Sequence, residues 1–124
     1  MTTQPPRIYS GDVRAVYSGD DLMVLVDLGH DDLWKRYRVR LHGVDTPYAK
    51  GAKPDTVAGR VRDYVRRITR DRVVQIEVIK ERGEDWIAVV RIETREGLLN
   101  LNDDLIQKGY IFNPGAGNSS HDRD

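Results

Sequence analysis

A small β-barrel with few helices, a mainly β (α+β) domain, is the fold class this sequence predicts, on three observations. Two segments, Trp34 to Leu41 and Val73 to Ile79, alternate apolar and polar residues with the period of a half-buried strand. Turn-forming residues, Ser18-Gly19-Asp20-Asp21 and those around Gly83, separate apolar and β-branched runs in the manner of hairpins. One long stretch, Pro54 to Arg70, changes to a helical period. At 124 residues the chain suits a single core, because domains typically run to about 100 to 150 residues.

In chain order, residues 1–6 are expected to be a disordered N-terminus, and the domain is expected to run over 7–114. Asp12 to Tyr17 and Leu22 to Leu28 are the arms of the first hairpin. Trp34 to Leu41 follows as a strand with Tyr37, Val39 and Leu41 on one face and an arginine ladder, Arg36, Arg38 and Arg40, on the other. The long helix places Val57, Val61, Tyr64, Val65 and Ile68 on one stripe, with Arg60, Asp63, Arg66, Arg67 and Arg70 outside it, and Pro54 and Asp55 suit its start. Val73 to Ile79 and Trp86 to Ile92 form a second hairpin. Asn102 to Lys108 reads as a short helix with Asn102 as N-cap and Gly109 as the stop. Tyr110-Ile111-Phe112-Asn113-Pro114 is a last extended piece before a polar tail, 115–124, with too little apolar content to fold.

Composition narrows the chemistry. Without cysteine there is no disulfide framework and no thiolate metal site, and with only three histidines a structural zinc is not expected. No basic, apolar leader opens the chain, and no run approaches the roughly 20 apolar residues of a membrane span, so a cytoplasmic location is expected. The 20 basic and 20 acidic residues cancel, so any affinity for a polyanion must come from a local patch.

The residues Gly43-Val44-Asp45-Thr46-Pro47, with Arg40 five positions before the aspartate and Ser18-Gly19-Asp20 upstream, carry the sharpest signal. They resemble the active-site signature of the staphylococcal nuclease (thermonuclease-like) family. The resemblance implies an OB-fold, a five-stranded Greek-key barrel, here with one long and one short helix. It also implies that Asp20, Asp45 and the backbone carbonyl of Thr46 hold a Ca²⁺ ion and that Arg40 grips the phosphate. Hard cations favour such oxygen donors, and a planar guanidinium matches phosphate oxygens bidentately. Each residue also has a plainer reading: Gly-Asp as a hairpin turn, Asp-Thr-Pro as a turn bonding its own backbone, and Arg40 as one rung of a surface ladder.

The departures from that family carry equal weight. Its general base, a glutamate directly after the proline, is replaced by Tyr48, a phenol that stays protonated near neutrality. Losing such a group typically costs a factor of about 10² to 10⁴. The family's second arginine has no counterpart in register, where Asp85 or Trp86 stands, although Arg82 can swing in from the turn. A third helix has no counterpart after Pro114. Replacement bases are His42 on the Arg40 face, Asp21 and Asp55; their plainer roles are strand-end and helix-start polar residues.

Independently of catalysis, Arg36, Arg38, Arg40, Lys50, Lys53 and the outer helix face can neutralise phosphates, while Tyr48, Trp34 and Tyr110 can stack bases. A charged helix face is also, more simply, a solvated one. The expected function is therefore a catalytically degenerate nucleic-acid-binding module for single-stranded DNA or RNA. An active Ca²⁺-dependent phosphodiesterase and a protein-interaction module are the alternatives, and fold alone does not choose among them.

Overall fold

The computed structural model describes residues 7–110. The expectations for 1–6, for 111–114 and for the tail 115–124 lie outside the described residues. The elements are β1 (Arg7–Ser18), β2 (Asp21–Asp27), β3 (Trp34–Leu41), α1 (Val57–Thr69), β4 (Val73–Arg82), β5 (Asp85–Thr94), β6 (Gly97–Asn100) and α2 (Leu101–Gln107). Strands pair in the order β3-β2-β1-β4-β5-β6, and a parallel pairing of β3 with β5 closes the first five into a barrel. This is the five-stranded Greek-key arrangement of the OB-fold, with β6 added on the β5 edge. No helix among the described residues is long and apolar enough to cross a membrane.

The alternation read from the sequence fills the barrel. Val39 and Leu41 of β3, Val74 and Ile76 of β4, and Trp86, Ala88, Val90 and Ile92 of β5 are buried beside Leu22, Val24 and Val26. Each large apolar side chain removed from water contributes about 1.5 to 3 kcal/mol. At one end of the bore Tyr9 and Tyr37 stack on the two sides of Trp86, with ring centroids 5.2 and 3.8 Å away. Val61 and Val65 of α1 join the core near the first hairpin turn, and Leu101 and Leu105 of α2 join it against β5.

Several boundaries differ from expectation. Helix α1 begins after Thr56, whose hydroxyl accepts from the Gly59 amide at 3.0 Å, rather than at Pro54 and Asp55. A side-chain acceptor poised for the third amide outweighs the preference of proline for a first turn. The cap of α2 is likewise Asn100, not Asn102. Asn102 is buried, and its amide accepts from the Val90 N–H at 2.9 Å while donating to the carbonyls of His42 at 2.9 Å and Ala88 at 3.1 Å. β6, with only four residues, is too short to show a period, and no sequence signal marks it. β1, β4 and β5 also run further than their apolar alternation.

One irregularity positions the site. The register of β4 against β5 slips between Val78 and Lys80, leaving Ile79 as a bulge. Unbroken alternation would give Lys80 and Arg82 the inward face of Val74, Ile76 and Val78; the extra residue turns them outward.

Candidate nucleic-acid interface

On the outer wall of the barrel, partners in register share a face, so three strands lay out two rows. Arg38 of β3 is opposite Asp85 of β5, which is opposite Arg82 of β4. Arg40 is opposite Ile87, which is opposite Lys80. These six residues, with Asp21 and Trp86, line one hollow. Arg38, Arg40, Lys80 and Arg82 are all exposed, so the wall presents four cations against two carboxylates. One carboxylate is already engaged, because Asp21 accepts from Arg38 Nε at 2.6 Å and Nη2 at 2.7 Å. The Arg38 guanidinium also lies 4.3 Å from the centre of the Tyr17 ring. A bidentate partner and an aromatic face together hold this long side chain in one orientation.

The Asp-Thr-Pro turn forms a second hollow around the edge of β3. Asp20, Arg40, His42 and Asp45 line it, so four residues singled out in the sequence do come together, and Arg40 stands between the two hollows. Gly43, at φ 77°, supplies the left-handed backbone that turns the chain from β3 toward Asp45. The Asp45 amide is held by the Tyr110 carbonyl at 3.0 Å. Asp20 is buried; it accepts from the Thr46 hydroxyl at 2.9 Å, and its own amide donates back to that oxygen at 3.2 Å. Gly19 permits this approach, since a Cβ there would lie 2.5 Å from Val61 Cγ1 and 2.9 Å from Thr46 Cγ2. Burial pushes the Asp20 carboxyl above its ordinary value, opposed by the Thr46 hydroxyl and by the charge of Arg40.

These donors fit a cation only in part. Asp20 and Asp45 face one hollow, and Ca²⁺ prefers such oxygens but takes about 6 to 8 of them. Among the described residues no three His, Asp or Glu side chains are placed to share a metal ion. A cation held by Asp20, Asp45 and the Thr46 carbonyl would need the rest of its shell from water or from a phosphate.

The other predicted residues divide. Tyr48 is 58% exposed, and with Lys50 it lines a third hollow beside Tyr17, Arg38 and Arg66. Arg36 and Lys53 are exposed but line none of these hollows, and Trp34 is 43% exposed at the start of β3. Tyr110 is half-buried, and its carbonyl rather than its ring supports the site. Arg66 of α1 and Arg70, the residue that follows the helix, line the groove beside β1, whereas Arg67 lies over the Tyr64 ring and Arg60 bonds the Asp55 carbonyl. Sequence reasoning missed Lys80, Tyr17 and the Asp21–Arg38 pair. It also missed Arg62, a buried arginine that donates to the Ala49 and Ala52 carbonyls and so fixes the loop carrying Tyr48. For Lys80 no signal existed, because the bulge is silent in the pattern.

No family model and no curated protein match this chain. Its backbone is similar to a solved one. The human TDRD1 extended Tudor domain, in complex with a symmetrically dimethylated peptide, superposes with a TM-score of 0.61 over 90% of this chain and 93% of that chain, at 7% identity. At that identity the likeness is one of fold, and it agrees with the barrel order described above.

Proposed function

We propose that this chain is a thermonuclease-like OB-fold module that binds single-stranded nucleic acid and has lost efficient hydrolysis. The observation that carries this reading is the outer wall on which Arg38, Arg40, Lys80 and Arg82 converge in two rows. A chain with no net charge gathers cations on the barrel face flanking the β4–β5 turn, a region that OB-folds use for oligonucleotides. Loss of hydrolysis follows from Tyr48 standing where a carboxylate base is required.

The grouping of Asp20, Asp45, Arg40 and His42 in one hollow supports a second reading, an active Ca²⁺-dependent phosphodiesterase with His42 as base. A peptide partner, as in the Tudor complex, has less support. Tyr9 and Tyr37 each stack on Trp86, and Trp86 is 1% exposed, so this cluster offers a ligand little open aromatic face.

One experiment separates the readings: labelled single-stranded DNA and RNA are incubated with the protein under Ca²⁺, Mg²⁺ or chelator, and binding and cleavage are followed together. The expected result is binding that weakens in Lys80→Ala/Arg82→Ala, with the strands left intact under all three conditions. Metal-dependent cleavage abolished by Asp45→Ala would establish the phosphodiesterase instead. Absence of both binding and cleavage would turn attention to protein partners.

A further inference from the structure

The basic wall does not end at β3. Asp21 and Arg38 line both the first hollow and the one beneath Tyr48, so the two share a wall. That middle hollow in turn shares Val16, Tyr17 and Arg66 with a groove between β1 and α1 that adds Arg14 and Arg70. A continuous track therefore leads from the β4–β5 turn, across β3, to the flank of α1. Arg14, Lys50, Arg66 and Arg70 are exposed along its second half, where the carboxylates are Asp71, Asp21, already paired with Arg38, and beside the track Asp63, which accepts from Arg66 Nη1 at 3.3 Å.

The middle hollow differs in kind from its neighbours. Two aromatic rings flank it: Tyr48, 58% exposed, and Tyr17, 38% exposed with the Arg38 guanidinium 4.3 Å from the centre of its ring, which leaves Tyr48 as the more open aromatic face. Its floor is the buried pair Val16 and Ala49. Its volume, about 460 Å³, lies within the about 300 to 1,000 Å³ of ligand pockets. The loop that carries Tyr48 is fixed in advance, because the Ala49 amide donates to the Ser18 hydroxyl at 3.0 Å and Arg62 Nη1 donates to the Ala49 and Ala52 carbonyls at 3.2 and 2.9 Å. Exposed aromatic surface on a pre-ordered loop, placed between two cationic stretches, is the arrangement that takes a base while its flanking phosphates are neutralised.

Resting on the binding function above, we infer that the Tyr17–Tyr48 hollow is a nucleobase-stacking subsite, and that a bound single strand runs from the Arg40–Lys80–Arg82 wall over Tyr48 toward Arg66 and Arg70. Tyr48, which cannot serve as a base, then has a positive role in recognition. The stacking tolerates any base, so the subsite confers preference for unpaired strands rather than for sequence.

The test is fluorescence anisotropy with a short labelled oligo(dT) and with a matched strand of abasic sugars. Tyr48→Ala is expected to weaken oligo(dT) binding by about 5- to 100-fold, Tyr48→Phe to preserve it, and neither to change binding of the abasic strand. If Tyr48→Ala binds oligo(dT) as the wild type does while Lys80→Ala/Arg82→Ala is impaired, the subsite is overturned and the binding function stands. Equal losses on both strands would also overturn stacking, since only a phosphate contact or a damaged fold acts without bases. If the wild type binds neither strand, both proposals fall.

Discussion

Asp20 and Asp21 are neighbours with opposite fates. Both are buried, but Asp21 is paired with Arg38 through two short charge-assisted hydrogen bonds, whereas Asp20 accepts from the neutral Thr46 hydroxyl. Because burial raises the folded-state pKa of Asp20 above its ordinary value, the folded state binds more protons than the unfolded state in the window between the two. Its contribution therefore opposes folding at neutral pH, and that penalty is relieved as pH falls through the raised value. In chelator, Asp20→Asn, which keeps an acceptor for Thr46, is expected to raise Tm at pH 7 more than at pH 4; an equal change at both would mean that Asp20 carries no such penalty. The expectation that Asp20, Asp45 and Arg40 belong together came from the family resemblance, since singly they read as turns and a ladder rung, and the structure places all three on one hollow. The engagement of Arg38 by Asp21 was not legible in the sequence, because a ladder of arginines gives no indication of which rung meets a carboxylate from the next strand.

At the level of elements, the turn that bears Asp45 is held by a residue far from it in sequence. Asn102 ties α2 to β5 and to the His42 carbonyl, just before the turn. Removing its amide leaves the buried Val90 N–H without that acceptor, and each such unsatisfied group costs about 1 to 3 kcal/mol. Asn102→Ala should accordingly lower the unfolding free energy by an amount of that order, and the urea midpoint with it. Asn102→Asp, which keeps the acceptor but sets a buried carboxylate against the His42 and Ala88 carbonyls, should lower it at least as far. Chemical denaturation of the two variants checks this, and a midpoint unchanged in Asn102→Ala would remove Asn102 from the supports of the turn. Read locally, Asn102 is a helix cap, and Asn100, two residues earlier, offers the same chemistry. Which asparagine caps and which becomes a buried bridge depends on where β6 ends, and a four-residue strand leaves no pattern to read.

Over the whole molecule, charge is balanced in number but not in place. The first hollow and the groove along α1 make one cationic side of a chain whose formal net charge is zero. Log Kobs for a single strand falls with log salt by about 0.7 for each phosphate neutralised, so Lys80→Ala/Arg82→Ala is expected to reduce the slope by about 1.4. Arg95→Ala, on the exposed β5–β6 turn and in the lining of none of the three hollows of the track, should leave the slope unchanged. Salt titrations of the three proteins decide the matter, and equal slopes for all three would remove Lys80 and Arg82 from the interface. The sequence by itself determined the barrel, because strand alternation, turn residues and a single helical stripe are local properties with fixed periods, whereas the Asp20, Asp45 and Arg40 triplet came forward through the resemblance of its motif to a known family. Only the tertiary structure decided what that triplet works beside. Closure of β3 on β5 and one bulged residue, Ile79, set Lys80 and Arg82 next to Arg38 and Arg40. Contacts between distant strands, and the face that a side chain takes after a register slip, follow from how the strands pair in space, which a period of two along the chain does not encode.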